Sequence, residues 1–146
     1  MINQILFICI AYLIGSLSFG IIISKFLNLT DPRTIGSKNP GATNVLRMGN
    51  KLAAILTLLG DILKATIVVT IAMLIDLNDL EIMQVSLALL IGHMYPIYYK
   101  FKGGKGVATA FGIILAINWL LALSVICIWL IIFFIWKFSS LAAIIA

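Results

Sequence analysis

The sequence predicts an all-α, polytopic integral membrane protein of about five transmembrane helices, followed by the start of a further apolar segment. Three observations predict it. Of the 146 residues, 63% are hydrophobic and only 10% charged, with a mean hydropathy of +1.20, whereas a soluble domain carries roughly 25% charged residues. The apolar residues gather into long runs, and about 20 of them span a hydrocarbon core in which only a fully hydrogen-bonded backbone is tolerated. The basic residues fall mainly in the connectors that flank those runs. A soluble globule is excluded.

The first span runs from Gln4 to about Leu27, interrupted only by Gly15, Ser16, Ser18, Gly20 and Ser24, small residues that let neighbouring helices approach closely. No basic residue precedes its apolar run, and the run exceeds a secretory signal core, so it reads as a retained span. Residues 28–51 form a polar connector with little regular structure before Ala42. The second span covers Leu52 to about Ile75. A link from Asp76 to Glu81 follows, with three acids and no base. The third span runs from Ile82 to about Tyr99, and the next link, residues 100–106, holds three lysines and no acid.

Lys and Arg accumulate on the cytoplasmic side of membrane proteins. The connectors with Arg33, Lys38, Arg47, Lys51 and with Lys100, Lys102, Lys105 are therefore expected in the cytoplasm, and the acidic link and the N-terminus outside. That orientation accounts for the net charge of +5, so no nucleic-acid partner is called for. The stretch from Val107 to Trp136 would measure roughly 45 Å as one helix, against a core of roughly 30 Å. A break is expected near Asn118 and Trp119, with Lys137 marking the return to the cytoplasm. Ser140 to Ala146 then begins another apolar segment. There is no internal repeat, and residues 1–146 form a single membrane domain. Cys9 and Cys127 lie inside apolar runs, where a free thiol behaves as a small hydrophobe, and they indicate no disulfide framework.

Four places carry candidate chemistry. In the segment from Gly36 to Arg47, two glycines permit close backbone approach, Ser37, Asn39, Thr43 and Asn44 supply neutral polar groups, and Lys38 and Arg47 supply charge, a set that suits a phosphate. An ordinary connector with orienting charges is the alternative. In the second, Lys102-Gly103-Gly104-Lys105-Gly106 leads into the helix that starts at Val107, so free backbone N–H groups and a helix dipole offer an anion site. A plain basic turn would look similar. The spacings of a nucleotide P-loop and of the dinucleotide glycine motif are both absent, so ATP and NAD are unsupported.

The third candidate is the lone His93, between Gly92 and Pro96, placed for a role near that anion site or for simple packing. No second histidine, nearby cysteine or suitably spaced carboxylate accompanies it, so no metal site is expected. Asp61 and Lys64 form the fourth, on one face of the second span about half way across. Inserting either charge alone costs about 2.5–3.5 kcal/mol, so the two are read as a structural pair, with a transporter's coupling site as the alternative.

Gly36 to Arg47 (GSKNPGATNVLR), Gly92-His93 with Pro96, and Phe101 to Thr109 (FKGGKGVAT) resemble the bacterial acyl-phosphate:glycerol-3-phosphate acyltransferases, the PlsY family. Gly15-Ser16, Asp61 with Lys64, and Ser139-Ser140-Leu141 also fall where that family has similar residues. The resemblance implies transfer of a fatty acyl group from acyl phosphate to the 1-hydroxyl of glycerol 3-phosphate, at the bacterial inner membrane, giving lysophosphatidic acid and phosphate. No cofactor is implied, and neither coenzyme A nor acyl carrier protein is the donor. The H-x-x-x-x-D signature of other glycerol phosphate acyltransferases is missing, because Tyr98 stands five positions after His93.

On matching positions, the resemblance makes Ser37 and Arg47 the essential pair of the first motif, with Asn39 and Asn44 in support. Gly103, Gly104 and Gly106 become the phosphate-binding turn, Lys102 and Lys105 its charges, and Ser140 a further lining residue. The hydroxyl attacks the acyl carbonyl directly, and the departing phosphate takes the proton, with His93 the second choice as base. The family also has a third motif with His, Asn, Arg and Glu, and the sequence stops inside an apolar run before it. The expectation is a fragment of a longer protein, ahead of a site completed by a second chain or a loss of activity. Outside this family, a small transporter or a non-catalytic lipid-binding relic remains open.

Overall fold

The computed structural model describes residues 2–146, and the side chains from Gln4 onward. Every regular element among these residues is helical. The helices are α1 (Ile2–Gly15), α2 (Phe19–Phe26), α3 (Ala42–Arg47), α4 (Lys51–Leu74), α5 (Asp79–Met94), α6 (Val107–Ile117), α7 (Trp119–Trp136) and α8 (Ser139–Ile145), with one 3₁₀ turn at Ile97–Tyr99. Apolar side chains are exposed along most of their length, the surface that lipid requires and water penalises.

Three helical stretches are long and apolar enough to cross a membrane: Lys51–Leu74, Asp79–Tyr99 and Trp119–Trp136. A fourth crossing forms if α1 and α2 count as one span bent by 46°. The chain is thus a multi-pass membrane protein with fewer full-length spans than the five expected. The expected break near Asn118 is present, and Asn118 Oδ1 accepts from Leu121 N at 3.0 Å to cap α7. It leaves α6 only 11 residues long, about half the thickness of a hydrocarbon core.

The first span departs from expectation. It is not one helix, because the backbone opens between Gly15 and Phe19. Ser16 Oγ turns back onto Tyr12 O at 2.8 Å, the kind of side-chain bond that competes with helix continuation. The link after α4 also differs. Asp79 and Glu81 belong to the first turn of α5, where Asn78 and Glu81 form a reciprocal capping box at 3.1 and 3.0 Å. Acids at a helix N-terminus also complement its dipole.

α1 runs parallel to α5, with Gln4 Nε2 donating to Gln84 Oε1 at 2.9 Å and the Tyr12 hydroxyl to Tyr95 O at 2.9 Å. At their crossing, a side chain on Gly15 would overlap the Leu89 carbonyl, and one on Gly92 the Tyr12 carbonyl. Small residues thus bring the two backbones together, as van der Waals packing in lipid favours. The buried core is correspondingly fine-grained: Ala11, Ala65, Val68, Val69, Ala72, Val85, Ala88 and Leu89. α6 lies along α4, where Thr66 Oγ1 donates to Gly112 O at 2.9 Å. α7 packs loosely, with Ala122 its one buried residue.

Candidate active site

The first connector folds around Asn44. This residue is buried at the start of α3, its Nδ2 donating to Pro32 O at 2.7 Å and Ile35 O at 3.0 Å, while its Oδ1 accepts from Ser37 N at 3.0 Å. Both amide hydrogens and the oxygen are spent on the loop, so Asn44 sets the shape of residues 32–37. Ser37, Lys38 and Arg47 are left exposed and Asn39 half-buried, and none of their side chains makes a hydrogen bond among the described residues.

The same connector reaches the second one through Arg33. Its guanidinium holds Asp31 at 2.6 Å, donates to Tyr99 O at 3.4 Å and lies 5.7 Å from the Tyr99 ring centroid. The hydrogen bonds from Arg33 hold the Asp31 carboxyl below its usual range, and Asp31 in turn raises Arg33. An open depression of about 420 Å³ lies at this junction, lined by Asp31, Arg33, Thr34, Tyr98, Tyr99, Lys100 and Lys102. Both connectors are therefore at one end of the bundle. Sequence reasoning took Arg33 only as an orienting charge, and nothing local signals its contact with Tyr99.

The second connector turns sharply. Lys100 and Phe101 both have left-handed backbones, φ 55° and 58°, an unusual state for residues with side chains. Phe101 N–H bonds Pro96 O at 3.0 Å and Lys102 N–H bonds Tyr99 O at 3.2 Å, which holds the turn in place. Gly104 N–H then donates to His93 O at 3.1 Å. Gly103 and Gly104 lie so close to His93 that a side chain would overlap its carbonyl at 103 and its Nε2 at 104. Gly106 is the left-handed residue, φ 82°, from which α6 departs. The first turn of α6 leaves N–H groups without helical acceptors, and Lys102 and Lys105 beside it are exposed.

His93 links this turn to the buried pair. Lys64 Nζ lies 3.0 Å from His93 Nδ1 and 2.9 Å from Asp61 Oδ1, and it donates to the Gly15 carbonyl at 3.0 Å and the Leu17 carbonyl at 2.6 Å. The Lys64–Asp61 contact is ionic, since Asp61 Oδ1 lies off a hydrogen-bonding direction. All three side chains are buried, at 5% exposure or less. The broken first span is part of this cluster, because the break frees the two carbonyls that Lys64 binds. Asp61 and Lys64 do pair, as their spacing implied, and the pair has a third member, His93, that spacing did not reveal.

The structure therefore brings His93 together with Gly103 and Gly104, ties Ser37 to Asn44 within the first loop, and joins the two connectors through Arg33 and Tyr99. Ser140 is exposed on α8, which packs on α7, and it makes no hydrogen bond to the loops. Among the described residues, no three His, Cys, Asp or Glu side chains cluster as metal ligands would.

A family model described as glycerol-3-phosphate acyltransferase matches residues 5–146. A glycerol-3-phosphate acyltransferase of Burkholderia multivorans is 56% identical over 137 residues, covering 94% of this chain and 65% of its own length. One from Methylobacillus flagellatus is 53% identical over 144 residues, covering 99% of this chain and 74% of its own. The crystal structure of PlsY, an integral membrane glycerol 3-phosphate acyltransferase, is similar in its glycerol 3-phosphate form. It superposes with a TM-score of 0.92 at 40% identity, covering 97% of this chain and 71% of that one. Its lysophosphatidic acid form gives 0.90 at the same identity.

Proposed function

As a member of the glycerol-3-phosphate acyltransferase family, this chain, we propose, carries the part of an enzyme that moves a fatty acyl group from acyl phosphate to the 1-hydroxyl of glycerol 3-phosphate. The products are lysophosphatidic acid and inorganic phosphate. The chain spans 65% of the length of the Burkholderia relative. The observation that carries the proposal is the docking of the glycine turn on His93, which presents free backbone N–H groups and two exposed lysines at the end of the bundle where the other basic loop also lies. Two phosphorylated substrates, one with a lipid tail, need such a basic surface at the edge of the apolar slab.

In this reading, Lys105, Lys102 and the turn of Gly103, Gly104 and Gly106 hold one phosphate. Arg47, Ser37 and Asn39 serve the other from the first loop. The glycerol hydroxyl attacks the acyl carbonyl, the C–O bond to phosphate breaks, and the leaving phosphate carries away the proton. The cations and N–H groups stabilise the charge that builds up on the way. The loops face the cytoplasm of a bacterial inner membrane and the N-terminus faces outward, in keeping with the placing of Lys and Arg in the connectors and the acids at Asp76, Asp79 and Glu81. The three N–H groups of the buried Lys64 ammonium all point to partners in the bundle, the Gly15 and Leu17 carbonyls and His93 Nδ1, which favours a structural role over ion coupling.

The test supplies membranes containing the chain with acyl phosphate and labelled glycerol 3-phosphate. Lysophosphatidic acid is expected, and it should fall by two orders of magnitude or more in Lys105→Ala, roughly the cost of removing a charge-stabilising donor. Uptake of glycerol 3-phosphate into sealed vesicles without acylation would overturn the proposal in favour of transport.

A further inference from the structure

We infer that Lys64 fixes His93 in the tautomer protonated on Nε2, so that the ring serves the glycine turn as an N–H donor and not as a base. This deepens the acyl-transfer reading and rests on it for the anion that the donor would meet. An ammonium has three N–H groups and accepts nothing. Lys64 gives two of them to the carbonyls of Gly15 at 3.0 Å and Leu17 at 2.6 Å, which the helix break leaves without a backbone donor. The third goes to His93 Nδ1 at 3.0 Å. Asp61 Oδ1, 2.9 Å from Nζ, supplies the countercharge from off the hydrogen-bond direction.

An Nδ1 that accepts from Lys64 carries no proton, and a neutral imidazole then has its one N–H on Nε2. The opposite arrangement would have Nδ1–H donate to Asp61 and leave Nε2 bare as a base. Asp61 is 3.5 Å from Nδ1, farther than Lys64 is from either group, so the ammonium occupies the position such a dyad requires. Nε2 is the ring atom that a side chain on Gly104 would overlap. The backbone bond from Gly104 N–H to His93 O at 3.1 Å fixes the turn against the His93 main chain, beside that edge of the ring. Lys64 is a positioning residue here. It acts through His93, and the N–H that reaches the turn adds a donor beside those of the α6 N-terminus.

His93 is the chain's single histidine, so 15N-histidine labelling of the whole chain in lipid nanodiscs reports one imidazole. The expected spectrum at neutral pH shows a protonated, pyrrole-type Nε2 and an unprotonated, pyridine-type Nδ1. A protonated Nδ1 with a bare Nε2, or a doubly protonated ring, would overturn the inference. In Lys64→Met, the Nδ1–H population should rise roughly tenfold or more, the worth of one hydrogen bond to a charged group. An unchanged tautomer in a folded Lys64→Met would remove Lys64 as the cause. Glycerol 3-phosphate added to the wild-type sample separates this from the functional reading. Failure to bind counts against acyl transfer, while the tautomer is decided by the spectrum without it.

Discussion

Lys64 and Lys105 stand in opposite surroundings, one bonded to His93 in the bundle and the other next in sequence to the Gly104 that packs on the same ring. Lys64 is buried 5% exposed in α4, with two carbonyls, a ring nitrogen and a carboxylate around its ammonium. Lys105 is exposed in the glycine turn and has no hydrogen-bond partner among the described residues. The same contrast separates Asn44, fully committed to its loop, from Arg47, which ends α3 in the open. Burial forces a polar group to find partners, since each one left unpaired costs several kcal/mol in lipid. A group that has found them all has none to offer a substrate. The interior of this molecule therefore holds the loops in place, and in the proposed reading the exposed end carries the chemistry.

That division predicts a graded set of responses. The largest belongs to Lys64→Met, which strands the Asp61 carboxylate in the bundle and should cost about 3–5 kcal/mol of stability, read by unfolding in detergent. The double variant Asp61→Leu/Lys64→Met should recover part of that loss but not all, because the Gly15 and Leu17 carbonyls stay orphaned. Equal stability of the single and double variants would show that the ion pair is not what Lys64 supports.

Asn44→Ala comes next. Three hydrogen bonds to the loop disappear, at a cost of about 1–3 kcal/mol, and limited proteolysis should cut within residues 32–41 far faster than in the parent. A loop equally resistant after the change would move Asn44 from the frame to the exposed chemistry. Gly104→Ala should cost a similar amount, about 1–3 kcal/mol, by forcing the turn off the His93 ring, and glycerol 3-phosphate affinity should fall with it.

The Asp31–Arg33 pair is the smallest effect. Its side chains are 34% and 29% exposed, and pairs of that kind contribute about 1 kcal/mol or less. Arg33 lowers the Asp31 carboxyl below its usual value. The stabilisation is therefore present above the unfolded carboxyl's pKa, about 3.9, and is lost as pH falls through the lower folded value. Stability measured between neutral pH and about pH 3 should lose this contribution in the parent and show no such step in Arg33→Ala.

Much of the fold was legible because lipid imposes long apolar runs and Asn118, Lys137 and the basic connectors interrupt them. The glycine turn was equally legible, since its residues are contiguous. The break at Gly15–Phe19 was not. Its small residues suit helix packing and helix opening alike, and what favours opening is Lys64, nearly fifty positions away. His93 joined Asp61 and Lys64 only across α4 and α5, so no local spacing announced it. The capping box of α5 was there to be read in Asn78 and Glu81, but the run of acids looked like a link. The direction of the Asn44 side chain depends on where Pro32 and Ile35 place their carbonyls, which the motif alone does not specify.

The central claim is that the exposed cations act on substrate without holding the fold. Its most direct measurement is acyl transfer to glycerol 3-phosphate, alongside the thermal midpoint, for Arg47→Ala and Lys105→Ala. The account predicts turnover reduced about a hundredfold or more with stability changed by no more than about 0.5 kcal/mol, as for an uncommitted surface residue. Turnover that survives in both variants, or a loss matched by a collapse of the midpoint, would contradict it.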